Sequence, residues 1–267
     1  MLWRDVLLEP RRDRRHRWAL VTGASRGIGA AFTEALPRHT NLLITARDAE
    51  ALKRRAARLA APGREVVWLA ADLATEAGRQ AVVARAEALG IDLLVNNAGL
   101  SRFGPFLDNP PEVERRMVEV NVVAAFALVR GLLPGMIERA RAGGPRAGLI
   151  MVASTAAFAP VPRLSTYAAT KAFALVLAES LTAELRGAPV DILALCPGPT
   201  ETEGYVGEGR RFGRGDPPER VAREALAALG RSPVHITGLV SQLALGPAAA
   251  ARAVLAGGLD LALRRIR

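Results

Sequence analysis

The sequence predicts a single α/β domain, a doubly wound parallel sheet with helices on both faces. Three observations carry that expectation. Short apolar runs that read as buried strands alternate with stretches of helical periodicity over the 267 residues. The first of these runs enters a glycine-rich turn that opens directly into a helix. Two later runs end in small polar residues, as parallel strands do at the sheet edge that binds ligands. With 50% hydrophobic residues and no linker, internal repeat or low-complexity tract, the chain can bury one sizeable core.

Taken in order, Arg17-Trp18-Ala19-Leu20-Val21 reads as a short buried strand over 17–22, and a helix over 27–38 follows its glycine turn. Strands near 41–46 and 65–70 are separated by a helix over 49–60, and a helix over 75–89 leads to the strand Ile91-Asp92-Leu93-Leu94-Val95-Asn96. One long helix is expected over 111–140, then a strand over 147–153, a helix over 164–186 and a strand over 189–196. A helix over 217–229 and a short strand near 233–237 close the pattern. Helical crossovers of this length make the sheet parallel. Residues 1–16 read as a basic N-terminal extension and 17–267 as the domain. Within it, 201–216 reads as a glycine-rich flap and 239–267 as a tail, helix-like from Pro247 to Arg267, that packs on the domain or on a second subunit, with membrane-surface contact as the alternative. Basic extension and tail are both expected to lie outside the chemistry.

The chemistry centres on Tyr167 and Lys171, which a helix places one turn apart on one face. The only lysines are Lys53 and Lys171, every other basic side chain apart from histidine being arginine, so this lysine is not a habit of composition. An ammonium beside a phenol favours the phenolate and is expected to bring its pKa down from about 10 toward neutrality. Upstream, Thr22-Gly23-Ala24-Ser25-Arg26-Gly27-Ile28-Gly29 joins the first strand to a helix start, where backbone N–H groups hold a pyrophosphate. Gly23 suits a tight turn, Gly27 the close approach of a cofactor and Gly29 the packing of helix on strand. Asn96-Asn97-Ala98-Gly99 ends the fourth strand, and Ser154 ends the fifth, thirteen positions before Tyr167.

This ordered set, from about Arg17 to Thr202, resembles the short-chain dehydrogenase/reductases, whose fold is a Rossmann fold. The resemblance implies hydride transfer between a nicotinamide and a carbonyl or alcohol. It assigns Tyr167 as acid/base, Ser154 as hydrogen-bond partner of the substrate oxygen, and Lys171 as both tuner of Tyr167 and ligand of the nicotinamide ribose. Asn121, among apolar residues on the long helix, matches the asparagine that supports a water-mediated relay to the lysine. The cofactor is expected along Thr22, Gly23, Ser25, Arg26, Gly27, Ile28 and Gly29, beside Asp72 and Leu73 at the adenine, and along Asn96, Ala98 and Gly99. Pro197 and Gly198 are expected to pass the nicotinamide, with Thr200 or Thr202 near its carboxamide.

The second strand ends Ala46-Arg47 rather than in the carboxylate that binds ribose hydroxyls, so Arg47 and Arg26 favour NADP(H) over NAD(H), with Asp48 as the opposing sign. The substrate is expected to be a small carbonyl or alcohol compound of ketone or 3-oxoacyl type, an acyl thioester included, covered by Tyr205, Val206 or Phe212 of the flap. His235-Ile236-Thr237-Gly238-Leu239-Val240 departs from the ending common in the family, in a manner similar to ketoacyl and ketosteroid reductases. A homodimer or homotetramer is expected.

A net charge of +10 reads as a solvated basic surface, with attraction of an acidic substrate or carrier as the alternative; no zinc-ligand spacing or aromatic-basic motif specifies nucleic acid, and no metal site is expected. The lone Cys196, in an apolar strand, excludes an internal disulfide and reads as a core residue of a reducing compartment. No secretory pattern opens the sequence, and polar and proline residues interrupt its longest uncharged stretch, 232–251, so a cytoplasmic protein without a transmembrane segment is expected. Two other readings stay open: a dinucleotide-binding regulatory protein without turnover, and an arginine-rich nucleic-acid-binding module.

Overall fold

A computed structural model describes residues 16–201 and 215–263, the side chains of 260–263 excepted. Seven strands form one parallel sheet in the order β3-β2-β1-β4-β5-β6-β7. They are β1 (Trp18–Thr22), β2 (Asn41–Ala46), β3 (Val66–Ala70), β4 (Leu93–Asn96), β5 (Ala147–Val152), β6 (Val190–Cys196) and β7 (Val234–Ile236). The central strands are apolar throughout because helices cover both faces: β1, β4 and β5 present almost no residue to solvent. Helices α1 (Gly27–Ala35) and α2 (Ala49–Leu59) bury Phe32 and Leu52 against one face, joined by Val221 of α7 (Pro218–Ala228). On the other face α3 (Glu76–Leu89), α5 (Ala125–Arg141) and α6 (Ser165–Glu184) bury Val82, Leu128 and Leu175. The doubly wound architecture expected from the sequence is the one observed, and β7 pairs parallel with β6.

Three elements differ from expectation. The helix expected over 111–140 is α4 (Pro111–Val118), a π-helical turn (Glu119–Ala124) and α5. The i→i+5 turn inserts without disturbing the apolar pattern, and it holds Asn121. α1 ends at Ala35 instead of 38, because Leu36 precedes Pro37 and takes an extended ψ of 138°. The tail is helical from Leu239, not from Pro247: α8 (Leu239–Leu263) carries that proline in its interior. A short 3-10 turn, Thr155–Phe158, follows β5 and is capped by Ser154, whose Oγ accepts a hydrogen bond from the N–H of Ala156 (3.1 Å).

The topology puts the switch point between β1 and β4, where crossovers leave in opposite directions and a crevice opens at the strand C-termini. The functional segments converge there.

Candidate active site

The floor of the crevice is a knot between the two central turns. Thr22 Oγ1 accepts hydrogen bonds from the N–H groups of Asn97 and Ala98 (both 2.9 Å), while Asn97 Nδ2 donates to Thr22 O (2.8 Å). Gly23, at φ +67°, makes the turn, and a Cβ on Gly29 would lie 2.3 Å from Gly23 O and 2.5 Å from Asn97 Nδ2. Gly29 therefore packs helix on turn, as expected from its place in the sequence. The same knot uncovers a structural residue outside the expected set, Asn97, whose signal was its place in Asn-Asn-Ala-Gly.

An anionic group fits the N-terminus of α1. No side chain caps it and no acid occupies its first turn, whereas Asp48 caps α2 and Thr75 caps α3. The amides that open α1, at Gly27, Ile28 and Gly29, with Ser25 and Arg26 just before them, are those a cofactor pyrophosphate would meet. Exposed Arg47 stands at the end of β2, close enough to help hold the Asp72 carboxyl low. Burial pushes that carboxyl up, but it is outweighed by Arg116 (2.6 Å), the Ala74 N–H (3.1 Å) and the charge of Arg47. Asp48 Oδ1 is spent on the N–H of Ala51 (2.9 Å). Leu73 is buried in the core cluster, so its neighbour Asp72 is the more open of the expected adenine pair.

At the other end of the crevice stand Ser154, Tyr167, Lys171 and Asn121. Lys171 is buried, its Nζ 5.8 Å from the centroid of the Tyr167 ring and donating to Val152 O (2.8 Å). Burial lowers its pKa to about 8, against a small upward pull from Cys196. Tyr167 corrects the expectation that the lysine charge would dominate: burial raises the phenol pKa, and the opposing pull toward phenolate comes from the Ser154 hydroxyl. Asn121 Oδ1 accepts from the N–H of Leu100 (2.8 Å), and its Nδ2 donates to Leu100 O (2.8 Å) and Thr170 Oγ1 (3.0 Å). Thr170 Oγ1 in turn donates to Tyr167 O (2.8 Å). Asn121 is thus a positioning residue that straps the turn after β4 to α6. Gly99 belongs to the same corner, since a Cβ there would sit 3.2 Å from Lys171 Nζ and 3.4 Å from Asn121 Oδ1.

Other expected residues serve the framework. Asn96 Nδ2 donates to Ala125 O (3.1 Å), and the Ala98 N–H is held by Thr22 Oγ1. Pro197, Gly198 and Thr200 follow β6: Gly198 N–H reaches Thr237 Oγ1 (3.4 Å), and Thr200 Oγ1 turns back to Gly198 O (3.0 Å). The flap is closed at its base by pairing of Thr200 with Asp216, while Thr202, Tyr205, Val206 and Phe212 lie outside the described residues. Cys196 is buried and its thiol is pushed up to about 12, chiefly by burial and then by Glu179, which fits a core residue and not a nucleophile. Among the described residues no three His, Cys, Asp or Glu side chains converge to hold a metal.

A family model described as short chain dehydrogenase matches residues 17–208, the stretch that holds both central turns, Asn121, Ser154, Tyr167 and Lys171. The chain belongs to that family. It is 38% identical over 190 residues, 69% of its length, to a short chain dehydrogenase of Pseudocercospora fijiensis, and it spans 60% of that longer relative. It is 32% identical over 243 residues to the rhamnolipids biosynthesis 3-oxoacyl-[acyl-carrier-protein] reductase of Pseudomonas aeruginosa, covering 84% of this chain and 93% of that one. Among solved structures, a short-chain dehydrogenase from Sphingobium yanoikuyae in complex with NADPH superposes with a TM-score of 0.79 at 32% identity, over 89% of this chain and 94% of that one. The protein is a short-chain oxidoreductase acting on hydroxyl or carbonyl groups.

Proposed function

We propose that the protein is an NADPH-dependent carbonyl reductase, or the alcohol dehydrogenase of the reverse direction. The observation that carries the proposal is the gathering of Ser154, Tyr167 and Lys171 at the end of a crevice whose other end is the uncapped α1 and Arg47. A reduced nicotinamide supplies the hydride when bound. Addition of hydride to a carbonyl carbon leaves an alkoxide that needs one proton, and the Tyr167 hydroxyl delivers it. Ser154 orients the substrate oxygen by hydrogen bond and steadies the phenolate left behind, the effect it already exerts on Tyr167. Lys171, near its point of half-protonation at pH about 8, returns a proton toward the phenolate between turnovers.

Preference for NADP(H) rests on Arg47 at the end of β2, on Arg26 at the start of α1 and on the diversion of Asp48 to helix capping. The 3-oxoacyl reductase among the relatives supports a ketone or 3-oxoacyl thioester substrate. A domain over 17–267 in the cytoplasm, assembled as a homodimer or homotetramer, completes the reading. Phe126 of α5 and Val176 of α6, about half exposed, offer apolar surface for such contacts. Purified protein screened with NADPH and with NADH against ketones and 3-oxoacyl thioesters tests it. NADPH oxidation with at least one substrate is the expected result, with Arg47→Asp shifting the preference toward NADH; absence of turnover across the panel, with NADPH bound, would favour the regulatory alternative.

A further inference from the structure

Helix α8 carries apolar side chains on two sides: Leu245 and Ala249 pack against the core, and a longer row faces outward. An ordinary surface helix turns its charged side chains to water and its apolar stripe to the core. In α8, Arg252 faces inward and clamps Glu179 of α6 with three contacts of 2.6–3.2 Å, while Leu239, Val240, Leu243, Val254, Leu255 and Leu259 face outward, each more than half exposed. They make a stripe of two groups, Leu239 to Leu243 and Val254 to Leu259, joined by exposed alanine and proline over about 30 Å of helix at 1.5 Å per residue. Within Leu239–Leu259 the most apolar stretch has a mean hydropathy of 1.4 and is only 6% buried, whereas that within Pro111–Arg141 has 1.8 and is 56% buried.

We propose that this stripe docks on the surface of an anionic lipid bilayer. Its chemistry favours lipid over protein. Protein-binding patches centre on Tyr, Trp, Met or Arg anchors inside a polar rim, whereas the exposed side chains of α8 are mainly leucine, valine and alanine, with no aromatic residue among them. A basic group sits at its margin. Arg186 Nη2 lies 3.2 Å from where a Cβ on Gly257 would be, the four residues that follow α8 in the sequence carry Arg264, Arg265 and Arg267, and the chain as a whole is at +10. An apolar stripe with basic flanks is the pattern of a helix that lies in the headgroup region of acidic lipids. Although long enough to cross a bilayer, α8 is held along the body of the domain by the Glu179–Arg252 clamp and by Gln242, whose Nε2 donates to Ile236 O (2.8 Å). It therefore lies on the membrane and does not span it. Its first turn also borders the crevice, with Ser241 Oγ 3.3 Å from the Cβ position of Gly198, so docking would set the active-site mouth beside the lipid.

Co-sedimentation of the full chain with vesicles tests this. Binding is expected to phosphatidylcholine vesicles that contain phosphatidylserine, weaker by about tenfold or more on pure phosphatidylcholine or at high salt. Leu255→Glu with Leu259→Glu should reduce binding to the acidic vesicles by about tenfold or more, with far-ultraviolet circular dichroism and NADPH titration unchanged. Leu255→Gln with Leu259→Gln replaces that pair if the glutamates disturb folding. Failure of the unaltered protein to bind acidic vesicles, or equal binding by the variants, overturns the proposal. So does light scattering that shows the variants losing an oligomer while still binding vesicles, since the stripe would then be covered by a second copy. Turnover is not part of the readout, so the outcome stands apart from the proposed reaction.

Discussion

Replacing Lys171 with Met should make the folded protein more stable while abolishing its function. Lys171 is buried with its Nζ on Val152 O at 2.8 Å, and burial holds its pKa at about 8 against an ordinary 10.5. At about 1.36 kcal/mol per pKa unit, keeping that ammonium charged inside the protein costs about 3 kcal/mol of folding free energy. Methionine retains the stem and removes the charge, but it leaves Val152 O without its donor, a loss of about 1 kcal/mol. A net gain of about 2 kcal/mol is expected at pH 7. The sign in pH follows from linkage: between about 8 and 10.5 the unfolded chain binds more protons at this site than the folded one, so the wild-type penalty is full below pH 8 and is relieved as pH rises. Cys196, pushed up to about 12, makes stability fall above pH 9 in both proteins and largely cancels in the difference. Urea unfolding of the two at pH 7, 8.5 and 9.5 reads the effect, as a gap in midpoint that narrows with pH. A variant that is less stable at pH 7, or a gap that does not change with pH, would refute the reasoning.

Gly29→Ala should abolish stable cofactor binding and lower stability, because its Cβ would meet Gly23 O at 2.3 Å and both partners are fixed in the central knot; thermal unfolding and NADPH fluorescence titration check it. Arg252→Ala strands the buried Glu179 carboxylate, for an expected loss of about 2–3 kcal/mol by urea unfolding. This is less than the about 3–5 of a fully buried pair, since 39% of the Arg252 side chain is exposed. Asn121→Leu removes three hydrogen bonds and leaves the Leu100 backbone unpaired, so turnover should fall with little change in NADPH affinity at temperatures where the variant stays folded; steady-state kinetics with a cofactor titration separate the two.

The sheet was legible because each strand is a short apolar run, most of them closed by glycine, asparagine or serine, a pattern local enough to read along the chain. Ser154, Tyr167, Lys171 and the glycine turn were legible for the same reason, since each motif is local and their order carries the rest. What escaped depends on partners distant in sequence. Asn97 looks like any turn residue until Thr22, 75 positions away, is placed beside it. The π turn at Asn121 answers to Leu100 and Thr170, and no local periodicity reports it. Asp48 reads as a competitor for ribose until its bond to Ala51 is seen. Pro247 read as the start of a helix, a common place for proline, but α8 begins eight residues earlier, and its outward apolar row appears only once Leu245 and Ala249 are seen on the core and Arg252 on Glu179.

The most direct test of the account is single-turnover reduction by Tyr167→Phe. The ring and its packing stay, the proton goes, and nothing else in the crevice is altered. With a carbonyl substrate from the screen, NADPH should bind the variant within about twofold of wild type, while the rate of NADPH oxidation falls by about 10²–10⁴-fold. Oxidation at near the wild-type rate would contradict the assignment of Tyr167 as the proton donor, and with it the chemistry proposed for this site.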